Sequence, residues 1–271
     1  MIIDELKKVA DKYGQPRKKE ILYQTEEIAG EEEVEEVPDY PVTLFISKEG
    51  YLKKITAQSL RMSGEQKFKE GDSLAFSVET SNRAELLVFI NQYQCYKTKL
   101  SDFDDGKASL LGDYLPQKMG MDPCETVAQV VLPGDYKGFV LFLFENGKAA
   151  KVPMSAYETK TNRRKLTGAY SDKSPLTKIM GFQADAQIAL YSSDSRAALI
   201  STAQLLPKTT RNTQGVAVMT LKKKAVLQDA AALEESGIVN VSRYRSKTIP
   251  TAGSLLKPED SPEKQITIGG I

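Results

Sequence analysis

One stretch of the chain reads Val42-Thr-Leu-Phe-Ile-Ser-Lys-Glu-Gly-Tyr-Leu-Lys-Lys-Ile55, an apolar run, a short turn and a second run that carries lysines. The pattern recurs three times, and the turn residues that align with Gly50 are Tyr93, Gly147 and Ser195. Successive turns are 43, 54 and 48 positions apart. Repeats of strands at a period of about fifty residues are typical of blades that pack around a common axis. The sequence therefore predicts an all-β, propeller-like ring.

The hairpins of these repeats are rich in lysine and arginine at their turns and ends. A curved edge that carries positive charge suits a bent polyanion. The basic residues concerned are Lys48, Lys53, Lys54, Lys97, Lys99, Lys148, Lys151 and Arg196.

Charge divides the chain of 271 residues into two parts. Residues 1–40 carry 12 acidic and 6 basic side chains, whereas the rest of the chain carries 31 basic and 24 acidic ones. An acidic arm beside a basic body indicates an interaction tail and a surface that binds a polyanion. A merely well-solvated surface gives the same balance, so charge alone does not separate the two interpretations.

The composition excludes several classes of enzyme. The chain has no histidine, which excludes Ser-His-Asp and Cys-His catalysis and histidine zinc sites. Its two cysteines, Cys95 and Cys124, indicate neither a metal cluster nor a disulfide framework. No run approaches the roughly 20 apolar residues of a membrane span. We expect a soluble, cytoplasmic protein with no cofactor, no metal and no contact with a membrane.

The order of segments along the chain predicts a helix, an acidic stretch, a β-rich body and a tail. Residues 2–13 have the apolar spacing of an amphipathic helix that ends before Gly14. Residues 25–39 hold eight acidic side chains, which is typical of a loosely held segment. The proline-rich tail contains two candidate edge strands, residues 238–241 and 265–268.

Three segments of the chain carry the sequence patterns of one known family. They are residues 4–21, Ser47-Lys-Glu-Gly-Tyr-Leu-Lys-Lys54 and Arg211-Asn-Thr-Gln-Gly-Val216. Together they resemble the A subunits of bacterial type IIA topoisomerases, DNA gyrase and topoisomerase IV. The first resembles the segment that ends the DNA breakage-reunion domain. The second resembles the Thr-x-x-Gly-Tyr-x-Lys-Arg pattern in the repeats of the C-terminal domain, and the third resembles an element that closes one of its blades. The resemblance covers nearly the whole chain.

The resemblance implies a β-pinwheel, a propeller-like ring whose blades exchange strands, with four to five blades and a short N-terminal helix. On this basis residues 1–24 end a breakage-reunion domain and residues 25–40 form an acidic linker. Residues 41–233 form the β-pinwheel DNA-binding domain. Residues 234–271 form a tail that is a candidate to complete a blade.

The implied function is non-catalytic binding and bending, or wrapping, of double-stranded DNA beside the cleavage core of an ATP-dependent enzyme. The implied partners are the DNA phosphate backbone, read without sequence specificity, the ATPase B subunit and the rest of the A subunit. The implied DNA contacts are Lys53, Lys54, Lys97, Lys151, Arg163, Arg164, Lys165, Arg196, Lys208 and Arg211.

Some residues depart from the family pattern. Leu60-Arg-Met-Ser-Gly-Glu-Gln-Lys-Phe-Lys69 lacks the paired arginines and glycines of the box that follows the first hairpin in gyrase, which favours topoisomerase IV-like or weakened wrapping. The Arg243-Tyr244 pair lies in the tail without the surroundings of the family's catalytic tyrosine. We therefore expect no catalytic residue in this chain.

Other hypotheses fit the same residues. The ring is alternatively a scaffold for protein partners, with its basic edge incidental. An enzyme would need carboxylates in the central channel, for which Asp102, Asp104 and Asp105 are candidates, although Asp-Asp-Gly is typical of a turn. The acidic segment is either a solvated linker or a strip that mimics DNA.

Overall fold

The chain divides into two compact units, Met1–Glu36 and Val37–Ile271. The first contains helix α1 (Ile2–Tyr13), which has Asp4 and Glu5 in its first turn, where carboxylates favour the helix dipole. The helix predicted over residues 2–13 is thus confirmed. No helix in the described part of the chain is long and apolar enough to cross a membrane. The computed structural model describes residues 2–13, 38–62, 65–159 and 164–260.

The second unit is built mainly of β-strands. The run Phe139–Phe144 is apolar on both faces and wholly buried, because it lies between two packed layers. In chain order the strands are β1 (Pro41–Ser47), β2 (Tyr51–Thr56), β3 (Leu74–Ser81), β4 (Glu85–Ile90), β5 (Gln94–Lys99), β6 (Asp113–Tyr114), β7 (Val127–Val131), β8 (Phe139–Phe144), β9 (Lys148–Pro153), β10 (Lys165–Leu166), β11 (Leu176–Phe182), β12 (Gln187–Ser192), β13 (Arg196–Ser201), β14 (Val216–Ala217), β15 (Leu227–Ala232) and β16 (Ser254–Leu255).

A short helical turn follows the second strand of each hairpin, and further turns follow β6, β15 and β16 or lie in the tail. The α-helices are α2 (Ala57–Met62), α3 (Leu115–Lys118) and α4 (Val241–Tyr244). The 3₁₀ turns are Leu100–Asp102, Met154–Tyr157, Thr202–Gln204, Leu233–Glu235 and Pro258–Asp260.

The strands form four antiparallel sheets of four strands each, which we call blades 1 to 4. Their strand orders are β3-β1-β2-β6, β7-β4-β5-β10, β11-β8-β9-β14 and β15-β12-β13-β16. Each blade is a hairpin with one further strand on either side. The prediction of an all-β ring of four to five blades is confirmed, with four blades.

Neighbouring blades exchange a strand. β6 follows the β4–β5 hairpin in the chain but pairs with β2 of blade 1. In the same way β10 returns to β5 of blade 2, and β14 returns to β9 of blade 3. In blade 4 this place is taken by β16, which comes from the tail and pairs with β13. Backbone hydrogen bonds therefore tie each blade to the repeat that follows it.

The four hairpin turns share one backbone conformation. The residue before each second strand has a φ between 58° and 88°, the left-handed region that costs a non-glycine residue about 1–2 kcal/mol. Its carbonyl oxygen accepts an N–H from the first residue after the exchanged strand, or in blade 2 from the third, so the turn also holds the chain that crosses to the next blade. The donor and acceptor residues are Leu115 and Gly50, Ala169 and Tyr93, Val218 and Gly147, and Leu256 and Ser195.

Apolar side chains fill the spaces between consecutive blades. Leu44 and Val88 belong to the cluster between blades 1 and 2. Between blades 2 and 3 the rings of Phe89 and Phe142 pack edge to face, with centroids 5.5 Å apart. A third cluster lies between blades 3 and 4. The core is therefore a series of layers between blades.

The tail packs on the far face of blade 4. Ile238 and Tyr244 are buried against Leu199 of β13. The edge strand predicted over residues 238–241 is wrong, because Asn240 instead caps α4 by accepting the N–H of Arg243. The other candidate, residues 265–268, lies outside the described residues.

The two edges of each blade face different surroundings. β11 contacts both β7 and β15, so these edge strands lie toward the ring axis. A cavity of about 240 Å³ there is lined by β3, β7 and β11, including Phe76, Val130 and Phe182. The exchanged strands β6, β10, β14 and β16 therefore form the outer edges.

Candidate nucleic-acid interface

Lys53 is buried in blade 1 and is satisfied by backbone carbonyls. Only 3% of it is exposed. Its Nζ lies 2.5 Å from the carbonyl oxygen of Lys67 and 3.2 Å from that of Ala108, and 5.0 Å from the Phe68 ring centre. Burial lowers the pKa of Lys53 below its usual range. This side chain fastens two segments onto the face of β2.

Three further lysines of the predicted set are equivalent to one another. Each is the fourth residue of the second strand of its hairpin. Each is largely buried, and each Nζ reaches a side chain in the loop before the next hairpin. A lysine paired in this way joins two consecutive blades. The contacts are Lys54 Nζ to Asn82 Oδ1 at 2.7 Å, Lys97 Nζ to the Tyr136 ring centre at 5.0 Å, and Lys151 Nζ to Asp185 Oδ1 at 2.6 Å. Lys97 Nζ also forms an ion pair with Glu85 of its own hairpin at 3.0 Å.

Arg196 begins β13 and is also engaged within the protein. Its Nε lies 3.4 Å from an Asp194 carboxylate oxygen, and its NH1 donates to the carbonyl of Gly253 at 2.9 Å. DNA contact by these five basic residues stays a prediction. Their contacts within the protein give them a structural role, because they join neighbouring strands and blades.

The remaining predicted residues lie between hairpins. Lys165 pairs with Glu125 at 2.6 Å, whereas the Arg164 side chain is exposed. Lys208 and Arg211 are half-buried, and the Arg211 guanidinium lies 5.8 Å from the Tyr157 ring centre. Arg163 lies outside the described residues.

Carboxylates at these joints have lowered pKa values, which predicts loss of stability in acid. Burial raises the pKa of Glu125, but hydrogen bonds from Lys165 and Tyr96 outweigh it and lower the pKa. At Asp260 burial likewise opposes hydrogen bonds from the backbone of Asn240 and Val239, and the net pKa is lowered. Stability from such groups is complete above their unfolded pKa values of about 4 and is lost as pH falls through the lower folded values.

We therefore expect a thermal midpoint that is nearly flat from pH 7 to pH 5 and falls steeply below about pH 4. Differential scanning calorimetry across this range measures it. Asp260→Asn keeps the acceptor oxygen but removes the titrating carboxyl. The thermal midpoint of this variant should fall less steeply below about pH 4 than that of the unaltered chain. A midpoint unchanged down to pH 3 would contradict the assignment.

The outer edge of each blade carries one further segment, hydrogen-bonded through its backbone to the fourth residue of the second hairpin strand. Gly106, Lys208 and Ser246 donate their N–H groups there at 2.7, 2.8 and 2.8 Å, and the Arg164 carbonyl accepts one at 2.8 Å. We call residues 102–107, 164–166, 207–211 and 243–247 the outer-edge segments of blades 1 to 4.

The outer-edge segments differ in charge. That of blade 1 has three aspartates and one lysine, a net charge of −2. Those of blades 2 and 3 each carry +2, and that of blade 4 carries +3. The positive part of the outer edge therefore runs over blades 2 to 4. Its basic residues are Arg164, Lys165, Lys208, Arg211, Arg243, Arg245 and Lys247.

Sequence reasoning missed the three basic residues of blade 4, because the tail was treated as irregular. Arg243, Arg245 and Lys247 are exposed, and they recur at every second position. The basic residue at every second position from 243 to 247 was a signal that the sequence offered. Tyr244 between them is buried, and its hydroxyl donates to Asp260 at 2.9 Å.

The carboxylates considered for catalysis lie on the outer edge instead of the ring axis. Asp105 pairs with Lys54 at 3.1 Å, and Asp102 accepts from Thr98 at 3.2 Å. The described residues that line the axial cavity include no aspartate or glutamate. The enzymatic hypothesis needed these carboxylates in the central channel, and their position on the outer edge does not support it.

Comparison with known proteins gives matches to one class of enzyme subunit. The chain is 23% identical over 273 residues to the A subunit of DNA topoisomerase 4 from Staphylococcus aureus, with 99% of this chain and 34% of the relative covered. The chain thus spans about a third of the length of the curated relatives it matches. No family model matches it.

Solved structures share the fold. The C-terminal domain of DNA topoisomerase IV gives a TM-score of 0.63 at 20% identity, covering 74% of this chain and 64% of that one. The Escherichia coli ParC C-terminal domain gives 0.60 at 13% identity, covering 81% and 95%. The DNA gyrase A C-terminal domain gives 0.54 at 14% identity, covering 82% and 80%. The resemblance inferred from the sequence is confirmed, since the chain matches the topoisomerase IV A subunit over nearly its whole length and has the β-pinwheel fold of the C-terminal domains of topoisomerase IV and gyrase A subunits.

Proposed function

We propose that this chain is a non-catalytic domain that binds and bends double-stranded DNA for a type IIA topoisomerase. The observation that carries the proposal is the positive outer edge of blades 2 to 4, on a curved fold shared with topoisomerase C-terminal domains. Lysine and arginine on such an edge neutralise phosphates without reading bases.

Bending has an energetic cost that these contacts offset. Smooth bending of a duplex of 20–30 base pairs by 40–90° costs about 1–6 kcal/mol. Each neutralised phosphate releases condensed counterions, which favours binding at low salt. Of the seven basic side chains on successive outer edges, Lys165 pairs with Glu125, and the other six supply phosphate contacts along the curved edge.

The proposal includes partners and a compartment. The rest of the A subunit would hold the catalytic tyrosine, and the B subunit would supply ATP hydrolysis. The domain would act in the cytoplasm by presenting a duplex to the cleavage core. DNA cleavage is not assigned to this chain, because its one Arg-Tyr pair has a buried, hydrogen-bonded tyrosine.

A salt series tests DNA binding and bending together. We expect the chain to bind a duplex of about 40 base pairs with a log–log salt slope near −5, the value for about six phosphate contacts. A fluorophore pair on the duplex ends should show the ends drawn together. The chain with Arg164, Lys208 and Arg211 changed to serine loses three of the proposed contacts and should have a salt slope shallower by about three. Tight binding that does not depend on salt would favour the protein-scaffold hypothesis, and so would an absence of DNA binding at low salt.

A further inference from the structure

Three connections cross from one blade to the next on the face of the ring that carries the hairpin turns. Each leaves an exchanged strand, passes the turn of its blade and reaches the turn of the next blade. The third connection, for example, donates from Val218 to the Gly147 carbonyl and accepts at the Val226 carbonyl from Ser193, at 2.8 and 2.9 Å. The connections are residues 115–126, 167–175 and 218–226.

The connections differ sharply in charge. The first has a net charge of −1 and the second of zero, whereas the third has +3. The whole of this charge lies in Lys222-Lys223-Lys224, and all three side chains are exposed. The turn face therefore has its strongest positive charge beside blade 4.

These lysines form a tight turn with an unusual backbone. The Ala225 N–H donates to the Lys222 carbonyl at 2.9 Å, and Lys224 has a φ of 72°. Glycine is the residue favoured at the third position of such a turn, because a side chain there costs free energy. The first connection has glycine at its own left-handed position, Gly120, with a φ of 62°. Lysine at 224 thus places a charge where folding favours glycine.

Within the described residues the turn is only partly neutralised. Lys222 Nζ lies 3.5 Å from an Asp194 carboxylate oxygen, and Asp194 is shared with Arg196. No carboxylate in the described part of the chain pairs with Lys223 or Lys224. Residues held in a strained backbone conformation cluster at functional sites.

We infer that the lysine turn, residues 222–224, is a phosphate-contact site for duplex DNA on the turn face, separate from the outer-edge segments. The inference rests on the proposed function. The lysine turn adds a contact where the DNA, following the outer edges of blades 2 to 4, reaches blade 4. The outer edge of blade 4 is also the most positive. This role would explain why a lysine occupies position 224 in spite of the backbone strain, because its side chain places a positive charge beside the DNA.

Lys224→Gly separates the effect of charge from the effect on stability. The substitution removes a positive charge and at the same time relieves the backbone strain at position 224. We expect a thermal midpoint raised by about 2 °C. DNA affinity should fall about 5-fold at 0.1 M salt, and the salt slope should become shallower by about one. Calorimetry and fluorescence anisotropy measure the two effects on the same protein.

Lys173→Gly is the matched control. Lys173 is exposed on the second connection and has no left-handed φ, so glycine there removes the same charge but lowers the midpoint. Its DNA affinity should change less than about 2-fold. Equal losses of affinity in both variants would show only a general charge effect and overturn the inference.

A triple variant distinguishes failure of the inference from failure of the proposed function. Lys222→Ser, Lys223→Ser and Lys224→Gly together should make the slope shallower by about three. If the unaltered chain binds with a steep slope and the triple variant binds identically, the lysine turn is not a contact and the proposed function stands. If the unaltered chain does not bind DNA, the proposed function fails and the inference fails with it.

Discussion

Gly215→Ala is expected to destabilise the second unit by about 3 kcal/mol or more. Gly215 has a φ of 69° and directly precedes β14, the exchanged strand of blade 3. A Cβ here would overlap the carbonyl oxygen of Ala149 and lie 2.6 Å from the Cα of Ala150. Both obstacles are backbone atoms of β9, so the clash is relieved only by moving β14 away. Blade 3 would then lose its tie to the repeat that builds blade 4.

Urea unfolding followed by circular dichroism measures this loss. Gly120→Ala is the matched control, because Gly120 has a similar φ of 62° but no atom within 4 Å of an added Cβ. We expect it to cost about 1–2 kcal/mol, the conformational term alone. Equal costs for the two alanines would show that the close approach of β14 to β9 contributes nothing.

Arg245→Glu with Lys247→Glu is expected to weaken DNA binding by about 30-fold or more at 0.1 M salt. The pair turns the most positive outer-edge segment, that of blade 4, from +3 to −1. Two phosphate contacts are lost and two repulsive charges are introduced, so the salt slope should become shallower by at least two. Anisotropy titrations across a salt series measure both quantities.

The control is Lys99→Glu with Lys107→Glu, which changes net charge equally. Both lysines are exposed, and they lie beside the aspartates of the blade 1 outer edge. Because that edge is already acidic, we expect a loss of less than about 3-fold. Losses of the same size in both double variants would mean that net charge, and not a path over blades 2 to 4, governs binding. Far-ultraviolet circular dichroism checks that each variant is folded.

Much of the architecture was predictable from local patterns. The four apolar hairpins are visible as runs, and the aligned turn residues predicted equivalent positions even where Tyr93 and Ser195 replace glycine. The structure gives all four the same left-handed backbone. Local signals suffice here because a turn between two strands is determined by residues adjacent in the chain.

The roles of the basic residues were not predictable in the same way. Lys54, Lys97 and Lys151 look in the sequence like exposed ends of hairpins, yet they pair with side chains of the next repeat. Their partners are about 30 to 40 residues away in the chain, a separation at which no local rule connects two side chains.

The order of residues alone predicts the repeat, the positions of the hairpins and turns, the exclusion of histidine chemistry and the resemblance to topoisomerase A subunits. The folded chain was needed to show which strand completes which blade, which lysines are buried between blades and which basic residues share the outer edge. This is because strand exchange brings together segments from different repeats. A side chain's burial and charge partners follow from that pairing and not from its neighbours in the chain.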